Sequence, residues 1–110
     1  MTHEQSCYTA FVAFALIEFK SPEGMNAITD ILNYLHLDFS DFMTVPYTLK
    51  EKGMDRYDVY HIISNFSASD KELVKKMVLR AYDNGGKKGQ ADSLYYLREI
   101  LTECDLATII

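Results

Sequence analysis

CYTAFVAFALIEF, residues 7–19, decides the fold. Thr9 and Glu18 are its only strongly polar side chains. A helix on the surface of a globular protein keeps a polar side, whereas a helix apolar almost all round must have every face covered. The run is too short to cross a bilayer, which takes about 20 consecutive apolar residues. It is therefore predicted to be the central helix of an all-α bundle, running to about Lys20, with Ser6 placed to cap its start.

Outward from that stretch, Ser21-Pro22-Glu23 is the sharpest punctuation in the chain. The Ser21 hydroxyl suits a cap, Pro22 suits the first helical position and also stops the preceding helix, and Glu23 favours the positive end of the dipole. The second helix is expected to turn Met25, Ile28, Ile31, Leu32 and Leu35 inward, with His36 near its end. Residues 38–52 are the least regular. Pro46 lacks a donor and restricts Val45, so residues 45–47 are not expected inside a helix, and a short extended piece is allowed there. After Gly53 a third helix starts near Asp55 and presents Val59, Ile62, Ile63 and Phe66 at i, i+3, i+4, i+7 spacing.

Ser69-Asp70-Lys71-Glu72 fits a capping box, opening a fourth helix with Leu73, Val74, Met77, Val78 and Ala81 inward and Lys71, Lys75 and Arg80 in water. Asp83-Asn84-Gly85-Gly86 ends it, with Asn84 or Gly85 suited to the left-handed cap. A fifth helix presents Leu94, Leu97, Leu101 and Cys104, and the apolar tail 106–110 is expected to pack on the body or on a partner. Helix, polar corner, helix thus occurs at 7–37 and again at 70–106. The expected architecture is a single compact domain, residues 1–110, of about five helices with a pseudo-duplicated helix-corner-helix unit.

Bulk properties agree. A chain of 110 residues with 48% hydrophobic content has the size and composition of one folded domain. Its net charge of −5 argues against a nucleic-acid partner, which selects for basic patches. The two cysteines, Cys7 and Cys104, sit on apolar stripes and show no cleavable leader before them, which favours inert reduced thiols in a cytoplasm over a disulfide.

The run 61–106 resembles the second half of the tellurite-resistance TerB-like family. In that family a serine-capped helix runs into an acidic corner reading Ala-Asp-Gly, with a further carboxylate a few positions on. Here the corner is Ala81-Tyr82-Asp83-Asn84-Gly85, followed by Asp92, and the first copy has Glu18-Phe19-Lys20-Ser21-Pro22-Glu23. The resemblance implies an all-helical domain, acidic corners that hold metal ions, and a place in stress-response or membrane-linked assemblies.

Candidate sites follow from residue chemistry. Asp83, Asn84 and Asp92 can offer oxygen to a hard cation such as calcium, which takes about six to eight oxygens. The same residues also suit a helix C-cap and a first-turn carboxylate, and Leu94 stands where an EF-hand would need glutamate. Gly85-Gly86-Lys87-Lys88-Gly89 has a phosphate-cradling composition without nucleotide-loop spacing. His3, His36 and His61 lack metal-ligand spacing. Asp55, Tyr57, Asp58 and Tyr60 form an acidic, tyrosine-bearing face that is either solvated or a partner surface, since tyrosine offers large contact area at low entropy cost. No catalytic set can be assembled from local spacing, and no cofactor or membrane insertion is expected. The expected function is a small helical interaction or adaptor module that binds a protein partner or itself. Divalent-cation binding at Asp83–Asp92 is the alternative.

Overall fold

The computed structural model describes residues 1–87 and 91–107. Among them are six α-helices and one π turn: α1 His3–Phe14, α2 Pro22–Leu35, α3 Phe39–Lys52, α4 Arg56–Ser64, α5 Ala68–Ala81, the π turn Tyr82–Gly86, and α6 Ser93–Glu103. No strand occurs among the described residues. Lys88 and Gly89 of the glycine-lysine loop, and residues 108–110 of the tail, lie outside them. No helix is long and apolar enough to cross a membrane.

α1 is the hub, packing on α2, α3, α4 and α5. Cys7, Ala10, Val12, Ala13 and Phe14 are buried, while Tyr8, Phe11 and Ala15 are half-buried. The helix is displaced from its expected span at both ends. Its cap is Thr2 and not Ser6: Thr2 Oγ1 accepts from the Gln5 N–H and Gln5 Oε1 accepts from the Thr2 N–H. Ser6 is buried inside the helix. At the other end helical geometry stops at Phe14, and Leu16 and Ile17 go under the core as irregular chain, almost fully buried. The segment beyond the helix is met by a corner far along the sequence. A Cβ on Gly86 would stand 2.2 Å from the Leu16 carbonyl oxygen, and one on Gly85 would stand 3.0 Å from the Ile17 side chain. The two corners are thus docked on each other, and two glycines of the second let the backbone of the first approach.

α2 begins as expected. Ser21 Oγ accepts from the Gly24 N–H at 2.9 Å and Pro22 takes the first helical position. Ile28, Ile31, Leu32 and Leu35 are buried, but Met25 is 46% exposed. His36 closes the helix in the left-handed conformation at φ 57°, and Leu37 donates back to the Leu32 carbonyl.

Residues 39–52, the stretch read as least regular, form one helix, and Pro46, not expected in a helix interior, lies inside it. An interior proline costs about 3 kcal/mol. α3 offsets that by burying Phe42, Val45 and Leu49 on one stripe, each worth about 1.5–3 kcal/mol. Its ends are also well closed. Asp41 reaches back to the Asp38 N–H, and Gly53, at φ 66°, ends the helix with Met54 donating to Leu49.

α4 starts where predicted, with the Asp55 carboxylate capping the Tyr57 and Asp58 N–H groups. α5 is capped by Ser67, whose hydroxyl accepts from Asp70, and Ser69 falls in the first turn. Val74, Met77, Val78 and Ala81 are buried as the spacing required, and Leu73 is partly so. Arg80, expected in water, pairs with Asp30 of α2, and Lys71 with Asp105. Asn84 and Gly85 continue the winding as a π turn and do not adopt the left-handed cap. In α6, Leu97, Ile100 and Cys104 are buried and Leu94 is 44% exposed. Ser93 Oγ donates to the Gly86 carbonyl across the corner at 2.9 Å. Leu106 is fully buried against the body, as expected for that end of the chain.

Candidate functional site, an apolar groove over the first helix

α3 and α4 both lie on α1 with little contact between them, and the space they leave is an open cavity of about 250 Å³. Phe11, Val12 and Phe14 of α1, with Ala15 just past its end, make its floor, Phe42 and Pro46 of α3 one wall, Arg56 and Tyr60 of α4 the other, and Phe19 one end. The early stop of α1 matters here: it frees Phe19 to fold over the groove, 44% exposed.

Four phenylalanines run past the cavity edge to face. The Phe19 and Phe14 ring centroids are 5.9 Å apart, Phe14 and Phe42 4.3 Å, and Phe42 and Phe39 5.0 Å. Phe14 and Phe42 are buried, whereas Phe39 at the far end is 47% exposed. Edge-to-face pairs of this kind hold the rings in one arrangement. Pro46 sits at this wall, so the face of α3 that lacks a backbone donor is the one turned to apolar space.

The opposite wall is polar only at its edge. Arg56 Nε lies 3.6 Å from Glu99 Oε2, Arg56 Nη2 donates to the Tyr57 hydroxyl at 3.1 Å, and the guanidinium stands 4.9 Å from the Tyr57 ring centroid and 5.9 Å from that of Tyr96. Glu99 of α6 also accepts from the Tyr57 hydroxyl at 2.9 Å and from Tyr60 at 3.3 Å. Burial, with the Glu99 charge beside it, pushes the Tyr60 phenol well above its usual range. The hydrogen bond to Glu99 raises Tyr57 as well. The hydrogen bond to Tyr57, with the Glu99 charge nearby, also raises the Arg56 guanidinium. All three side chains keep their protonated forms near neutral pH.

The acidic, tyrosine-bearing face anticipated on the third helix is divided by this arrangement. Tyr57 is 47% exposed and Tyr60 only 2%, its ring forming groove wall and its hydroxyl bound to Glu99. Asp58 is exposed, but its carboxylate accepts from the Asp55 N–H at 2.8 Å and serves the helix start. Asp83, Asn84 and Asp92 are all exposed. Asn84 faces a separate polar cleft with Glu23, Asn26, Asp30 and Arg80. Among the described residues no three His, Cys, Asp or Glu side chains converge as a metal site. Cys7 and Cys104 are free and buried, and burial raises both thiols, Cys104 to about 12.

The groove residues Phe19, Phe42, Pro46 and Arg56 escaped sequence reasoning. The usable signal was the row Phe39, Phe42, Pro46 at i, i+3, i+7, an apolar helical stripe once proline is allowed to lie on it. The chain matches no family model, no curated protein and no solved structure.

Proposed function

We propose that this protein is a small helical interaction module which seats a large apolar side chain of a partner, or of itself, in the groove over α1. The observation that carries the proposal is an open cavity of about 250 Å³ walled almost wholly by carbon, with Phe19 44% and Phe39 47% exposed beside it. Small-molecule sites span about 300–1,000 Å³ and place several polar groups within reach of the ligand. This cavity, at about 250 Å³, falls below that range, and its polar groups sit at one edge. It suits an anchor residue, and aromatic rings with a stacked arginine are the composition that dominates interface energetics. The TerB-like resemblance, a stress-response role and a cytoplasmic address belong to the same proposal. The groove supports the interaction reading more strongly than the exposed corner at Asp83, Asn84 and Asp92 supports cation binding.

The test uses Ala15→Leu, which fills the cavity floor. Sedimentation over a concentration series, and capture of partners by the full chain, are expected to show association that this substitution abolishes. A strict monomer that captures nothing, or association unchanged by Ala15→Leu, overturns the proposal.

A further inference from the structure

We infer that Asn84 is a site of self-modification: its side-chain amide is lost to the Gly85 nitrogen when the second corner comes off the first, and the product keeps the corners apart. The chain has four asparagines, Asn26, Asn33, Asn65 and Asn84, and only Asn84 is followed by glycine. A glycine nitrogen has no side chain beside it to hinder attack on the preceding amide. Packing requires that glycine, since a Cβ at 85 would stand 3.0 Å from the Ile17 side chain and 3.1 Å from Ala27 Cβ. The residue that lets the corners meet is thus the one that makes Asn84 reactive. Asn84 is exposed and lines the polar cleft with Glu23, Asn26, Asp30 and Arg80, so water reaches its amide.

The chemistry needs only water. The Gly85 nitrogen attacks Asn84 Cγ. The N–Cγ bond forms, the Cγ–Nδ2 bond breaks, and ammonia leaves with the proton given up by Gly85. Water then opens the five-membered imide at one of its two carbonyls. Opening at Cγ restores the backbone and leaves aspartate. Opening at the main-chain carbonyl leaves isoaspartate, whose backbone runs through Cβ and Cγ and is one atom longer. Water enters, ammonia departs, and nothing is oxidised or reduced.

The fold sets the rate. Asn84 and Gly85 lie in the π turn, closed by the Lys87 N–H donating to the Tyr82 carbonyl. Right-handed winding does not bring the next nitrogen in line with the side-chain carbonyl carbon, so Asn84 must unwind before attack. Two contacts resist unwinding. Gly85 and Gly86 are buried against Leu16, Ile17 and Ala27, and Ser93 Oγ donates to the Gly86 carbonyl at 2.9 Å. Conversion therefore runs through local openings of the corner and follows their population. Isoaspartate lengthens the backbone two residues before Gly86, where a Cβ would already stand 2.2 Å from the Leu16 oxygen. The lengthened chain no longer fits the docked corner.

The test incubates the full chain in mildly alkaline buffer made with oxygen-18 water, and follows Asn84 by peptide mass spectrometry. Electron-transfer fragmentation separates aspartate from isoaspartate. The folded chain is expected to convert at Asn84 measurably, at a rate about tenfold or more below that of the urea-unfolded chain. Ser93→Ala is expected to raise the folded rate severalfold, and Asn84→Gln to abolish conversion there. If Ser93→Ala does not fold, urea below the unfolding transition supplies the opening, with the same acceleration expected. The purified isoaspartate form is expected to unfold at lower urea than Asn84→Asp, which carries the same charge on a backbone of ordinary length. Equal rates folded and unfolded, a rate indifferent to loosening the corner, no product from the folded chain while the unfolded one converts, or an isoaspartate form as stable as Asn84→Asp each overturn the inference.

Discussion

Gly86 shows how one missing side chain positions two corners. A Cβ there would stand 2.2 Å from the Leu16 carbonyl oxygen and 3.0 Å from Ser93 Cβ, and one on Gly24 would stand 1.5 Å from the Glu18 oxygen. Both obstacles include backbone, so neither can swing away. Gly86→Ala and Gly24→Ala are each expected to cost about 3 kcal/mol or more in urea denaturation. Gly53→Ala meets nothing within 4 Å and carries only the strain of φ 66°, for which about 1–2 kcal/mol is expected. Equal losses at the three positions would contradict this account. Asp30 offers a test in pH. The Arg80 hydrogen bonds hold its carboxyl below the usual range against some opposing desolvation. A lowered folded value means stability that is present above the unfolded value of about 3.9 and lost as pH falls through the folded one. Asp30→Asn is therefore expected to lower the urea midpoint at pH 7 and to lose that effect progressively as pH falls below about 3.9. The pairing was not legible in the sequence, since Arg80 reads as a solvated helix residue until α2 is laid beside it. The same holds for Tyr60, whose neighbour Glu99 is 39 residues away.

Local signals placed two helix starts correctly and missed two others, at Ser6 and Ser69, while packing overrode propensity elsewhere. Ser21-Pro22-Glu23 and Asp55 specified their helix starts because a cap satisfies donors within three residues of itself. The capping box read at Ser69–Glu72 placed the start of α5 two residues late, since Ser67 is the cap used. Ser67→Ala is expected to cost about 1 kcal/mol by thermal or urea unfolding, and Ser69→Ala only a few tenths; the reverse order would reinstate the later cap. Pro46 misled because propensity speaks for one residue while α3 buries a whole stripe. Pro46→Ala restores a donor and is expected to raise stability by about 1–3 kcal/mol while weakening whatever the groove holds, since the proline ring is part of its wall. α1 misled in the opposite direction. Its composition contains no stop before Ser21, yet the helix ends at Phe14, and the chain beyond it packs on residues 85 and 86, a contact that no window on the first helix can see.

For the molecule as a whole, an apolar stretch near the start was enough to predict a bundle built round one helix, because a helix without a polar face has no other stable place in water. The groove is the part of that hub left uncovered. α3 and α4 spread apart over Phe11 and Ala15, so the half-exposed floor could be found only after the helices were placed. This geometry predicts the order in which the fold opens. Amides in the middle of α1, at Ala10, Val12 and Ala13, lie under 2% exposed and beneath four other helices, so freeing any of them requires those helices to come away together. Native-state hydrogen exchange at these amides is expected to match the free energy and urea slope of global unfolding. The first turn of α2, with Met25 exposed and Ser21 supplying its cap, is expected to exchange through smaller openings. Filling the groove with Ala15→Leu should raise the α1 protection without altering its urea slope, since it adds contacts to the native state and leaves the surface exposed on unfolding almost unchanged. Exchange of the α1 amides at lower free energy than the rest would mean that the hub opens alone, and that the helices around it do not enclose it.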